Sequence, residues 1–113
     1  MFVHRRDVQI QWGDCDPANI VYYPRYFGMF DDSTSVLFEK AGFSKQDLVH
    51  KYGLVGIPMV DTRAKFYIPS THGDWIAIEA FEKRVLVGHD PDNPDKLKSA
   101  PMPPEIIEKF LHG

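Results

Sequence analysis

Residues 13–42 read GDCDPANIVYYPRYFGMFDDSTSVLFEKAG, and the rest of the chain is organised around them. The stretch opens with a polar turn that sets Asp14 and Asp16 on either side of Cys15. It then runs into the longest helical pattern in the sequence. Pro24 suits a first helical turn, where a missing N–H costs nothing. From Tyr23 onward, Tyr26, Phe27, Phe30, Thr34, Leu37, Phe38 and Ala41 recur at spacings of three and four, the apolar stripe of an amphipathic helix. Gly42 supplies the stop, because glycine takes the left-handed cap conformation without strain. Gly28, Ser33, Thr34 and Ser35 keep the middle of the helix slim enough for a sheet to approach. A core helix with a capping turn accounts for most of these residues.

Composition sets the bounds. A chain of 113 residues supports one domain with one modest core. With 43% hydrophobic and 13% aromatic residues it has the material to fold. A net charge of −3, with its basic residues scattered, offers no footprint for nucleic acid or an anionic membrane. The single cysteine precludes an internal disulfide framework and suits a reducing compartment. No apolar run approaches the ~20 residues of a membrane span, and the N-terminus has no signal-peptide core. The expectation is a cytoplasmic protein.

Outward from the helix, residues 2–12 alternate toward their end, with Val8, Ile10 and Trp12 on one side of a half-buried strand. Ser44 and Asp47 form a capping box for a short second helix that Gly53 ends. Residues 53–58 read as a turn-rich connector. Residues 59–68 alternate as a strand, with Val60, Thr62, Ala64, Phe66 and Ile68 toward the core. Residues 69–74 are a turn, and a long strand-like run begins at Trp75. Its apolar phase is even at Ile76, Ile78 and Ala80 but odd at Phe81, Val85 and Val87, which puts Glu82 and Arg84 outward. A period-two strand cannot change face without a bulge or a break, expected here near Glu79–Phe81. Residues 89–113 read as an extended, proline- and aspartate-rich tail. A short helix follows within it, docking through Ile106, Ile107, Phe110 and Leu111.

Strand, carboxylate turn, long helix and further strands, in that order, resemble the 4-hydroxybenzoyl-CoA thioesterase-like family of hot-dog-fold thioesterases. The residues that carry the resemblance are Gly13-Asp14-Cys15-Asp16-Pro17-Ala18, then Ile20-Val21-Tyr22-Tyr23-Pro24 and Tyr26. Gly53-Leu54-Val55-Gly56, Pro58 and Gly73-Asp74 add weaker support in the right order. The resemblance implies an α+β hot-dog fold, an antiparallel sheet wrapped around one long central helix, over a single domain spanning residues 1–113. It implies a homodimer or homotetramer whose subunits share their active sites. It also implies an acyl-CoA thioesterase that needs no metal or cofactor. Asp16 falls on the family's catalytic carboxylate, and the backbone N–H of Tyr23 on the group that polarises the thioester carbonyl. A helix N-terminus suits that task, since its unpaired N–H groups favour a developing oxyanion. Ile20, Val21 and Tyr22 would line the substrate. Asn19 stands where the family pattern calls for glycine. The chain is also short of the family's five long strands by about 25 to 30 residues near Glu79–Ala80, at ordinary strand and hairpin lengths.

Several residues have plainer readings. Asp14 is a turn-capping residue. Cys15 lies between two carboxylates, which disfavour a thiolate. Its flanking aspartates lack the spaced histidines of a usual metal set. Asp61, Arg63 and Lys65 form a solvated strand face or, opposite a second subunit, a cross-interface ion pair or a phosphate contact. The reading is therefore a hydrolase for aromatic or short- to medium-chain acyl-CoA, with Asp16 as nucleophile or general base. The alternative is a non-catalytic acyl-CoA-binding or assembly module of the same fold, inactive through loss of a strand pair.

Overall fold

A computed structural model describes residues 1–76 and 80–113. The order is β1 (Val8–Gln9), α1 (Pro24–Lys40), α2 (Lys45–His50), β2 (Leu54–Gly56), β3 (Met59–Ala64), β4 (Trp75–Ile76), β5 (Ala80–Arg84), β6 (Leu86–His89), β7 (Leu97–Ala100) and α3 (Pro104–His112). All strand pairs are antiparallel: β1 with β4, β3 with β5, and β6 between β2 and β7. The bulge or break expected near Glu79–Phe81, and with it the Glu79–Ala80 junction, lies outside the described residues.

The helix starts and stops where its residue chemistry demands. Pro24 occupies the first turn of α1, and Gly42 follows its end at φ 97°. Tyr26 and Phe30 are the buried anchors of the stripe, and Phe27 stacks edge-on against Phe30. Ser44 accepts from the Asp47 N–H while Asp47 reaches back to the Ser44 N–H, so α2 carries the expected reciprocal cap. Two apolar clusters result. One joins Ile10, Val21, Tyr26 and Phe30; the other joins Leu48, Leu54, Ile57, Leu86 and Ile106.

Several strand assignments change. The N-terminal strand is short, and Trp12 leaves it for a 3₁₀ turn (Trp12–Asp14), where the ring is 78% exposed. Strand β3 stops at Ala64, and Val60, Phe66 and Ile68 are exposed. The expected inward face holds at Thr62, whose Oγ1 is buried, and at Ala64, which packs on the Ile10–Val21–Tyr26–Phe30 cluster; Val60 sits at a register shift, and Phe66 and Ile68 lie beyond the end of the strand. The connector at 53–58 contains β2, paired to β6 with a register shift between Leu54 and Gly56.

The sharpest reversal is in β5. Phe81 is 58% exposed, whereas the side chains of Glu82 and Arg84 are only 11% and 13% exposed. Leu86 is buried, so the inward phase from Glu82 to Leu86 is even. The odd apolar phase of Phe81, Val85 and Val87 marked Glu82 and Arg84 as solvent-facing; pairing with each other and with α1 lets them face inward.

The stretch after Gly88 is no free tail. Asp90 and Asn93 shape the turn through side-chain acceptors for the Asp92 and Asp95 N–H groups, and β7 returns along β6 from Leu97 to Ala100. Helix α3 docks through Ile106, which is fully buried, while Ile107 and Leu111 are exposed. Phe2 packs edge-on against Phe110, and its N–H donates to the Phe110 carbonyl at 2.9 Å, tying the two ends of the chain together.

Candidate active site

The turn that feeds α1 folds back on itself. Cys15 and Val21 form an antiparallel bridge, the Tyr22 N–H donates to the Asp14 carbonyl at 2.9 Å, and the Asp16 N–H donates to Ile20 at 2.9 Å. Residues 15–22 thereby form a narrow hairpin whose tip is Pro17–Asn19. Asn19 takes φ 63°, the left-handed conformation that asparagine accepts more readily than most residues. The departure from glycine is thus one the backbone accommodates.

The two aspartates play different parts in this hairpin. Asp14 Oδ2 accepts the Gln11 N–H at 2.9 Å and closes the 3₁₀ turn in front of it. Asp16 Oδ1 accepts the Ala18 N–H at 2.9 Å, an Asx-type contact that fixes the carboxylate at the hairpin tip. Asp16 is half-buried. Among the described residues its Oδ2 has no donor, and the Tyr23 N–H, at the start of α1, has no acceptor. The hairpin carries Asp16 near its tip and leads directly into α1, whose N-terminus begins at Tyr23.

The surroundings are aromatic and exposed. Tyr22 and Tyr23 lie 5.8 Å apart between ring centroids, and Phe66 stacks on Tyr26 at 4.7 Å. The segment after β3 is stitched alongside through an Ile20–Thr71 bridge and the Val21 N–H to Ser70 carbonyl bond. Ile20 and Tyr22 are exposed here, but Val21 is buried and belongs to the core. Tyr67 and Ile68 also stand out to solvent.

Asp61 and Arg63 do not join this group. They lie two residues apart on β3 and pair with each other at 3.3 Å on an exposed face. Cys15 directs its thiol to the Gln11 carbonyl. Among the described residues no group of three or more His, Cys, Asp or Glu is placed to hold a metal. No helix among them is long and apolar enough to cross a membrane.

A second polar cluster escaped sequence reasoning. Arg84 donates from Nε to Glu82 at 2.6 Å, from Nη2 to Asp31 at 2.9 Å and from Nη1 to the Ile57 carbonyl at 3.1 Å. Thr34 on α1 adds a 2.9 Å bond to Glu82. Burial on its own would lower the pKa of Arg84; its bonds to Glu82 and Asp31, and their charges, outweigh this and raise it. The signal available in the sequence was the apolar phase slip beside these two charges.

Fold and site together define the class. The model of the Thioesterase-like superfamily matches residues 10–93, and the chain belongs to that superfamily. Its fold is the hot-dog fold. It is 37% identical over 73 residues to a 4-hydroxybenzoyl-CoA thioesterase of Pseudomonas sp. strain CBS-3; that stretch is 63% of this chain and spans 51%, about half, of the relative's length. The solved structure of 4-hydroxybenzoyl-CoA thioesterase from the same strain superposes with TM-score 0.77 at 26% identity, covering 92% of this chain and 96% of that one. An aspartate-to-asparagine variant of 4-hydroxybenzoyl-CoA thioesterase complexed with 4-hydroxybenzoyl-CoA gives TM-score 0.76 at 26% identity, covering 92% and 95%. A 1,4-dihydroxy-2-naphthoyl-CoA thioesterase from Synechocystis shares the fold, with TM-score 0.67 at 16% identity over 95% and 94% of the two chains.

Proposed function

We propose that this protein is an acyl-CoA thioesterase in which Asp16 is the chemical carboxylate and the Tyr23 N–H polarises the thioester carbonyl. The observation that supports the reading is the 15–22 hairpin, which carries Asp16 and runs directly into the N-terminus of α1, with Asp16 Oδ2 and the Tyr23 N–H both without partners among the described residues. Attack on the carbonyl carbon turns its oxygen into an oxyanion, which the Tyr23 N–H and the positive end of the helix stabilise. Collapse of that intermediate breaks the C–S bond and expels the CoA thiolate. Asp16 either takes a proton from the attacking water or attacks first, forming an anhydride that water then opens. Label in the Asp16 side chain after single turnover in ¹⁸O-water identifies an anhydride opened at the Asp16 carbonyl, and hydroxylamine trapping of the acyl-enzyme identifies one that water opens at the acyl carbon.

An aromatic acyl group is the first substrate class to try. Tyr22 and Tyr23 offer exposed ring faces between the Asp16 hairpin and α1, and the 37%-identical relative is a 4-hydroxybenzoyl-CoA thioesterase. Capture of an aspartate-to-asparagine variant with 4-hydroxybenzoyl-CoA is what neutralising a chemical carboxylate would produce. The exposed collar of Tyr22, Tyr23, Phe66, Tyr67 and Ile68 is suited to cover by a second subunit, so we assign the working form as a homo-oligomer. Asp61 and Arg63, on an outer strand face, are then available to that subunit or to a CoA phosphate.

The test is hydrolysis of a panel of acyl-CoAs by the parental chain and by Asp16→Asn. The amide retains the Ala18 contact, so the variant should fold while kcat falls ~10²–10⁴-fold. A folded Asp16→Asn with parental kcat refutes the assignment. Thermal stabilisation of the parental chain by CoA esters without turnover would make it a binding module instead.

A further inference from the structure

The molecule is open for its length. Its radius of gyration is 16.6 Å, against about 13 Å for a compact chain of this size. Its accessible surface is 8213 Å², against roughly 6,300 Å² for a compact monomer of its mass. Part of that openness is a cavity of about 510 Å³ behind α1. Phe30, Thr34 and Leu37 of the helix line it, with Arg6 and Val8 of the N-terminal stretch and Glu82 of β5.

Two features of this cavity are unsatisfied. Among the described residues β5 pairs only with β3, so its second edge presents N–H and C=O groups that another backbone strand would match. Glu82 Oε1 is buried without a hydrogen-bond partner, although its sister oxygen receives Arg84 and Thr34. A buried acceptor left open in this way calls for a donor.

The relative's length supplies an independent observation. One aligned stretch is 63% of this chain but 51% of the Pseudomonas thioesterase, which is therefore about a quarter longer. The three-dimensional match nonetheless covers 92% of this chain and 96% of that structure. The relative's additional residues therefore fall inside the matched span, not beyond its ends.

We propose that the cavity between the N-terminal stretch, α1 and β5 is a strand-accepting site, and that its occupant is an extended polypeptide segment with apolar residues at alternate positions. Such a segment lays its apolar side chains on α1 and offers backbone groups to the open edge of β5. A donor from it satisfies Glu82 Oε1. The additional internal residues of the longer relative are the first source of such a segment to test, and here the occupant comes in trans.

Synthetic peptides tiling the internal segment of the Pseudomonas thioesterase that has no counterpart here are the probe. One of them should bind the 113-residue chain saturably at micromolar concentration and raise its Tm by several degrees, while a scrambled version does neither. Ser33→Arg, which places a bulky cation in the cavity from the helix side, should weaken that binding at least tenfold. Grafting the same segment between Ile76 and Ala80 should lower the radius of gyration in small-angle scattering despite the added length. The proposal is overturned if no peptide outperforms its scrambled control and the graft leaves both Tm and radius unchanged. It is equally overturned if hydrogen exchange finds the β5 amides protected by a second copy of the unmodified chain.

Discussion

Replacing Arg84 by methionine tests whether the inward ion pair holds β5 to α1. The guanidinium, 13% exposed, donates to Glu82, Asp31 and the Ile57 carbonyl. Methionine fills much of the same space but leaves Glu82, 11% exposed, with Thr34 as its only donor among the described residues. Breaking a buried pair by removing one partner typically costs ~3–5 kcal/mol. The Asp31 arm is half-exposed and adds little, since surface pairs contribute about 0–1 kcal/mol. We expect a loss of about 2–4 kcal/mol, which for a domain of this size lowers Tm by on the order of 10–15 °C. The double variant Glu82→Met/Arg84→Met should recover most of that, because apolar groups of similar volume replace a buried ion pair at little cost. Urea unfolding followed by circular dichroism on the parent, both single variants and the double variant gives the coupling energy directly. Arg84→Met within about 0.5 kcal/mol of the parent, or a double variant whose loss equals the sum of the singles, would refute the reasoning.

Asp14→Ala should lower Tm more than it changes kcat, because it removes the acceptor of the Gln11 N–H; a cap of this kind is worth about 1 kcal/mol. Ile106→Ala empties a fully buried site that joins α3 to Leu54 and Leu86, and should cost ~2–5 kcal/mol in denaturant titration. Acid should loosen the same helix. The first-turn residue Glu105 has its carboxyl pKa lowered from the ordinary 4.5, first by its own backbone N–H and then by the Tyr52 hydroxyl. Its contribution is therefore fully present above pH 4.5 and fades as pH falls below that through the lowered folded-state value. Tyr52→Phe should flatten the fall of Tm below pH 4.5 measured by fluorescence; an unchanged slope would discount the contact.

Local chemistry made much of this protein legible in its sequence. The ends of α1 are written by Pro24 and Gly42, and its buried side by the spacing of Tyr26 and Phe30. The reciprocal cap of α2 follows from Ser44 and Asp47 three residues apart. The turn of Asp14, Asp16 and Asn19 could be read for the same reason, since each acts on backbone within a few positions of itself. These features depend on neighbours along the chain, and so survive without knowledge of the fold.

What tertiary structure alone decided is which partner lies across each strand. The odd apolar phase from Phe81 sent Glu82 and Arg84 outward; Asp31 and Thr34, some fifty positions earlier, are what let them turn inward. Alternation placed Val60, Phe66 and Ile68 in the core with Thr62 and Ala64, yet it could not foresee the register shift at Val60 or the end of the strand at Ala64. Leu97–Ala100 carries almost no strand signal of its own, and becomes a strand because β6 offers it an edge. Asp16 and Tyr23 were named from a motif. The hairpin that links them, closed by Cys15 with Val21 and Asp14 with Tyr22, is a backbone pairing that spacing does not spell out. Spacing along a chain can set a residue's period, but only the partner across from it sets its face.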